Sequence, residues 1–472
     1  MKRHLLLLSL LTIVVVACEK KDDPADLERE KARQDSINTN IKINDCIYSI
    51  MHDYYLWNDK MPKYVKNDGR YPADYFKNLL YKEEDTWSYC VADGETFLAD
   101  DSGSPYSMGY SPQFWYYNNK KNVLIIVEYV YPGSPADKAG IKRGDIILSI
   151  DGEALTPDNF YDLYMKESAT YELAYYNTKD NTLYPDGRRP TLQAEIVKAD
   201  PSIYDTILMV DNKPVGYFVY IAFTSDKTYL ASIDAAFDRF KAAGVKDLIL
   251  DLRYNGGGDV DVASYLASAI APAEVTANKE ILIVNQFNRY LTNYFEKYAP
   301  DMITVRFPNN PHNADMQNLY VICTDGTASA SELVIVGLKP YMQNVKLIGK
   351  KTYGKCTGMF TFHRSLDKNE SDLQNWLLRP VCMKYANSVG FTDFIDGLDP
   401  DYEVDDDLVS GYQFGDINEP MLATALDVIR DLPITAKAAR INPFEFLGRD
   451  RSVLNNNLIV YPPQSLMKDF GK

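Results

Sequence analysis

Between residues 215 and 383, short apolar runs alternate with stretches of helical spacing, and this alternation limits the fold more tightly than any other feature. Residues 215–221 form an apolar run. Leu230, Ile233, Phe237 and Phe240 follow at helical spacing, and Gly244 stands where the helix would end. Residues 247–252 form a second run and lead into Arg253-Tyr254-Asn255-Gly256-Gly257-Gly258, with another helix expected over 260–269. Further runs lie at 281–286, 319–323, 345–348 and 377–383. A helix fills 329–338, stopped by Pro340, and a last helix is expected over 421–430. Strands joined by helices pair in parallel, so the core over 199–432 is predicted to be α/β.

The chain has 472 residues, 46% apolar and 25% charged, enough for several domains with large cores. Its net charge of −16 argues against a nucleic-acid partner. Histidine occurs only at 4, 52, 312 and 363, without metal-ligand spacing, so neither metal nor other cofactor is expected. The three glycines at 256–258 belong to neither a P-loop nor a dinucleotide motif. Cys46, Cys90, Cys323, Cys356 and Cys382 are scattered, without a framework that assigns a pairing.

Lys2, Arg3 and His4 precede an apolar run over 5–16, too short for a membrane span and suited to a signal peptide over 1–17. Val15-Val16-Ala17-Cys18 resembles a bacterial lipobox. The resemblance implies acylation of Cys18, a lipid anchor in the membrane and a place in the cell envelope, with the outer membrane expected. The charged segment 18–36 reads as a flexible tether. Residues 37–104 read as a small helical domain, with Ile43, Ile47, Ile50, Met51 and Tyr54 on one face and Pro72 opening a second helix. Over 105–198 the texture is β-rich. The run Gly133-Ser134-Pro135-Ala136-Asp137-Lys138-Ala139-Gly140-Ile141-Lys142-Arg143-Gly144-Asp145-Ile146-Ile147, followed by Ile150-Asp151-Gly152, resembles a PDZ domain, with two helices, the second near 159–166. The resemblance implies capture of a peptide C-terminus at Met108, Gly109 and Tyr110, with the peptide adding to a sheet edge.

Ser329 stands where the 319–323 strand hands over to the next helix. Free N–H groups and the positive end of the helix dipole surround such a position, and both favour a developing oxyanion. The plainer reading of Thr327, Ser329 and Ser331 is helix capping. A nucleophilic serine needs a base, and no histidine stands in a recognisable motif, although His363 remains a possible partner. Lys355, in the turn Thr352-Tyr353-Gly354-Lys355, is the better candidate, because burial disfavours the charged ammonium.

The ordered set Asp251-Leu252-Arg253-Tyr254-Asn255-Gly256-Gly257, Ser329-Ala330-Ser331-Glu332, Thr352-Tyr353-Gly354-Lys355 and Gly397-Leu398-Asp399-Pro400-Asp401, behind the PDZ-like stretch, resembles the carboxyl-terminal processing peptidases, serine peptidase family S41. The resemblance spans roughly residues 40–430 and implies a core of the ClpP/crotonase-like type. It implies Ser329 as nucleophile and Lys355 as general base. The backbone N–H groups of Gly257 and Ala330 would form the oxyanion hole. It further implies that Asp251 and Arg253 hold the loop, and that Ser331 and Glu332 support rather than react. Two positions depart from the pattern: Met359 stands where some relatives carry Gln, and Lys339-Pro340 where some carry an acid. The implied function is a serine endopeptidase acting on protein tails in the envelope. The competing reading is a non-catalytic envelope scaffold that binds peptides or ligands on the same fold. Residues 433–472 carry no interpretable motif.

Overall fold

The computed structural model describes residues 24–101, 106–177, 179–366, 368–392, 394–434, 443–449 and 459–460. Cys18 and the expected signal peptide over 1–17 lie outside the described residues. The core is a six-stranded sheet in the order Ser202–Val210, Lys213–Tyr220, Asp247–Asp251, Asn318–Cys323, Asn344–Gly349, Tyr402–Glu403. All pairs are parallel except the first, where Ser202–Val210 and Lys213–Tyr220 form a tight antiparallel hairpin. The helices Leu230–Ala242, Val260–Ile270 and Ala330–Leu338 pack against one cluster containing Phe218, Phe237, Leu250, Leu266, Val321 and Leu333. The other face, around Tyr217, Ile249, Ile322 and Ile348, is covered by the helix Pro420–Ile429 through Met421, Leu422 and Leu426. Both faces are therefore buried, which explains why the central strands read as continuous apolar runs.

Two runs that continue the alternation in sequence do not join this sheet. Ile281–Phe287 pairs antiparallel with Val381–Asn387, which pairs antiparallel with Thr357–Phe360, giving a second sheet of five strands. Pro380 divides the apolar run at 377–383 into Leu377–Arg379 and Val381–Asn387. The N-terminal helices pack on this second sheet: Ile47, Met51, Tyr54, Tyr55 and Phe76 share one cluster with Phe295, Met359, Phe360, Phe362 and Met383. The strand Tyr89–Val91 pairs with Leu377–Arg379, so the N-terminal region extends the core instead of burying an apolar face of its own.

The first helix is longer than its apolar face, spanning Pro24–Tyr54. Residues 24–36, read as a flexible tether, form its exposed first half. The charged residues there (Glu, Lys, Arg) are themselves good helix formers, so charge alone did not exclude a helix. Among the described residues, no helix is long and apolar enough to cross a membrane.

Residues 106–197 form the predicted β-rich unit. Its antiparallel sheet runs Tyr110–Tyr117, Asn122–Val130, Ile146–Ile150, Ser168–Asn177, Thr182–Pro185, with the short helix Phe160–Tyr164 beside it. Asp151 and Gly152 both have positive φ, 54° and 79°, as a two-residue hairpin turn of the mirror-image type requires. A further strand comes from the C-terminal region: Glu445–Arg449 pairs antiparallel with Tyr110–Tyr117. Nothing in the sequence of residues 433–472 marks that pairing.

Candidate active site

The strand Asn318–Cys323 ends in a tight loop, and Ser329 is the N-cap of the helix Ala330–Leu338. Ser329 is buried and holds φ 58°, ψ −111°, a conformation that a side-chain-bearing residue adopts only when its surroundings impose it. Those surroundings are hydrogen bonds to the loop that follows the neighbouring strand Asp247–Asp251. The Ala328 N–H donates to Asn255 O at 3.0 Å, Ser331 Oγ to Asn255 O at 2.9 Å, and Thr327 Oγ1 to Leu252 O at 2.8 Å. Asn255 Nδ2 in turn donates to Tyr220 O at 2.9 Å. The serine loop and the triple-glycine loop thus form one hydrogen-bonded body at the C-terminal ends of three adjacent parallel strands.

Glu332 joins that body to the turn carrying Lys355. One carboxylate oxygen, Oε2, accepts the N–H of Ser329 at 2.8 Å and the N–H of Lys355 at 2.9 Å. The other, Oε1, accepts Thr352 Oγ1 at 2.5 Å and the Gly354 N–H at 2.7 Å. From the opposite side the Tyr385 hydroxyl is within hydrogen-bond distance of Ser329 O, at 3.0 Å, and Lys355 O, at 3.3 Å. Ser329 and Lys355, 26 positions apart in sequence, therefore stand no more than two hydrogen-bond lengths apart at the backbone. Burial raises the Glu332 carboxyl above its ordinary range, and the four donors oppose that shift.

Lys355 is also buried, and its Nζ lies 4.0 Å from Met359 Sδ. Burial holds its ammonium well below the ordinary lysine range; the nearby Arg379 guanidinium pushes the same way, against the pull of Asp85 and Glu332. Arg379 is fixed by Thr361 Oγ1 at 2.8 Å and by the Tyr89 hydroxyl at 2.9 Å, and Asp85 accepts the Tyr55 hydroxyl at 2.7 Å. The N-terminal region thus supplies part of the lysine's surroundings. A thioether is a weak acceptor, so Met359 leaves the amine less solvated than an amide would.

Ala330 opens the helix, and its N–H lies at the positive end without an intrahelical acceptor. Gly257 sits directly against it. A Cβ on Gly257 would stand 2.8 Å from Ser329 Cβ and 3.0 Å from the Ala330 nitrogen, and its φ of 107° also requires glycine. The Gly257 N–H, however, donates to Asn255 Oδ1 at 2.9 Å. In this arrangement the second expected oxyanion donor is turned to its own loop, and an incoming oxygen must replace Asn255 to use it. The three histidines of the described residues have other partners. The His363 ring nitrogens lie 2.6 Å from Ser365 Oγ and 3.3 Å from Asn375 Oδ1, His312 pairs with Asp238, and His52 with Asp53. Cys356 packs in the main apolar cluster.

Asp251 and Arg253 lie behind the glycine loop. Arg253 is bound to Asp251 at 2.8 Å, Glu419 at 2.9 Å and Asp406 at 3.0 Å. Asp406 also binds Arg143 of the β-rich unit at 2.6 Å, and the Tyr254 hydroxyl donates to the same carboxylate. In the β-rich unit, Met108 and Tyr110 are buried beside the Gly109 turn. Tyr110 packs edge-on against Tyr164 with ring centres 6.2 Å apart, and Phe114 against Phe160 at 5.0 Å, so aromatic rings fill the space between the edge strand and its helix.

Comparison with known proteins agrees with this layout. Residues 214–404 match Peptidase family S41, residues 42–89 the Peptidase S41 N-terminal domain, and residues 126–165 a PDZ domain. A crystal structure from Bacteroides fragilis NCTC 9343, assigned to the S41 proteases, superposes with a TM-score of 0.70 at 26% identity, covering 82% of this chain and 97% of that one. The chain belongs to peptidase family S41. Within the family it is 25% identical to the carboxy-terminal processing protease CtpA of Bacillus subtilis (strain 168), over 67% of this chain and 60% of that protein. It is 26% identical to the chloroplastic C-terminal processing peptidase of Tetradesmus obliquus, over 50% of this chain and 48% of that protein. These matches span less than two thirds of either relative. Glu332 and Tyr385 join Ser329 and Lys355, the two residues that the sequence resemblance marks as candidate nucleophile and base. Tyr385 and Arg379 escaped the sequence reading because they sit in an ordinary strand sequence with no motif around them.

Proposed function

We propose that the protein is a serine endopeptidase of the carboxyl-terminal processing type, working through Ser329 and Lys355. The observation that carries this reading is the shared bonding of Ser329 and Lys355 to Glu332 and Tyr385, around a lysine whose burial favours the neutral amine. Ser329 Oγ attacks the scissile carbonyl and its proton passes to the Lys355 amine. The oxyanion lies at the helix N-terminus, on the Ala330 N–H and on the Gly257 N–H once Asn255 releases it. The Lys355 ammonium then protonates the leaving amine, the peptide C–N bond breaks, and an ester to Ser329 remains. Water, deprotonated by the neutral lysine, hydrolyses that ester and regenerates the serine.

In the same reading, the PDZ domain holds the C-terminal tail of a protein substrate and presents the chain to Ser329. A non-catalytic scaffold has no use for a desolvated lysine joined through a shared carboxylate to a strained serine, so the peptidase reading is favoured. The first test is mass spectrometry of an unfolded protein incubated with the chain and with Ser329→Ala and Lys355→Met. Fragments are expected from the parent alone, with both variants reduced by at least about a thousandfold. Fragments from all three in equal yield would exclude this dyad.

Cys18 is proposed as the site of a lipid anchor that holds the enzyme in the cell envelope. Cys18→Ser is expected to move the protein from the membrane to the soluble fraction. Unchanged membrane recovery, together with no mass shift at Cys18, would remove the anchor.

A further inference from the structure

A peptide bound to a PDZ domain adds as a strand to a sheet edge. Here that edge belongs to Tyr110–Tyr117, which directly follows the Gly109 turn, and it is already paired. Glu445 lies opposite Tyr116, Phe446 opposite Trp115, Gly448 opposite Phe114 and Arg449 opposite Gln113. The segment runs antiparallel, so its C-terminal direction points toward Gly109, as a captured tail would run. It leaves Tyr110, Ser111 and Pro112 outside its register. The register shift between Phe446 and Gly448 turns Leu447 inward, against the same buried cluster as Phe160 and Tyr164 of the groove helix. Phe446 stacks edge-on against Trp115 with ring centres 5.0 Å apart.

Arg449 makes the most specific contact. Its Nε binds Glu128 Oε1 at 2.8 Å, and its Nη1 binds Asp325 Oδ1 of the serine loop at 3.0 Å. Glu128 is fully buried, and its other partners, Ser111 Oγ and Gln113 Nε2, are neutral donors at 2.7 Å each. Lifting the segment off the edge would leave this carboxylate with no cation among those partners, so whatever replaces the segment must bring one.

We propose that residues 445–449 are a tethered ligand of the PDZ edge, and that the edge selects an apolar residue followed two positions later by a basic one, read by the groove and by Glu128. A substrate tail binds by displacing this segment with the same chemistry. The proposal rests on the tail-recognising peptidase reading above. An intramolecular ligand competes at an effective concentration on the order of millimolar, so freeing the edge strengthens binding in trans without any new contact.

The test uses the full chain and two unfolded protein substrates, one ending in Phe-Leu-Gly-Arg and one lacking those four residues. Leu447→Asp removes the apolar anchor, and Phe446→Ser serves as a milder second variant. Hydrogen exchange over residues 113–116 reports release of the edge, and unchanged exchange elsewhere reports an intact fold. The expected result is a KM at least about tenfold lower for the tailed substrate in Leu447→Asp, a smaller drop in Phe446→Ser, and no change for the tailless one. Changing the substrate's Arg to Glu is expected to abolish the gain. Equal KM in parent and variants, with the edge released and the tailed substrate still preferred, would overturn the tethered-ligand proposal alone. Equal cleavage of tailed and tailless substrates would overturn PDZ tail recognition, and this proposal with it. Absence of Ser329-dependent cleavage would overturn the peptidase reading.

Discussion

Lys355, the proposed general base, is a buried titratable group whose ionisation links activity to stability in that reading. Its folded-state pKa lies below that of a free lysine, so the folded protein binds fewer protons than the unfolded chain between those two values. The resulting destabilisation is complete below the depressed pKa and disappears as pH rises toward about 10.4. Hydrolysis, which in the proposed mechanism needs the neutral amine, is expected to rise with pH through the same depressed pKa. Lys355→Met is therefore expected to unfold at higher urea than the parent at pH 7, with the difference shrinking by pH 10. A parent–variant difference independent of pH would show that Lys355 titrates as an ordinary lysine. The lysine and the serine were legible in the sequence because each lies in a short motif. The state of the Gly257 amide was not: its hydrogen bond to Asn255 Oδ1 depends on a side-chain torsion that spacing does not encode.

At the scale of elements, the site depends on how a helix start and a distant turn share a single carboxylate. Replacing Glu332 with Gln puts an NH2 group where one oxygen now accepts two donors, so two bonds are lost and two buried N–H groups, or an N–H and a hydroxyl, face a donor. Glu332→Gln is expected to cost on the order of 3 kcal/mol in urea unfolding and to lower kcat with little change in KM. Near-parental stability would mean that the clamp is dispensable. The sequence reading gave Glu332 a supporting role without identifying what it supports. Residues 281–286 and 377–383 form strands, as their apolar runs predict, but they lie outside the alternating parallel series, with Ile281–Phe287 and Val381–Asn387 in the second sheet. Apolar runs of that length look the same in a parallel or an antiparallel sheet, and the choice is made by long-range register that no local pattern carries.

Across the whole molecule, the PDZ domain meets the peptidase core through charge as much as through apolar contact. Arg143 and Arg253 converge on Asp406, with Phe414 stacked against both guanidinium groups. Burial would raise Asp406, but Arg143 and Arg253 offset this and hold it at about 2. A carboxylate with a depressed folded pKa contributes stability that is present above its free value, near 4, and is lost as pH falls through about 2. Asp406→Asn is expected to cost about 3 kcal/mol at pH 7 and to flatten the loss of stability between pH 4 and pH 2. Equal acid sensitivity in variant and parent would place that lability elsewhere. The two-domain order was plain from the motifs, but this junction was not, since Arg143, Arg253 and Asp406 lie 110 and 153 positions apart.

Ser329 and Lys355 are both sealed from solvent in the structure described above. The proposed catalytic pair is therefore shut away from anything as large as a peptide until some part of its cover moves. A bulky phosphonate that labels the serine would act as a clock for that movement. Its rate would count how often the enclosure opens, so slow labelling would signal a closed door and not an inert serine.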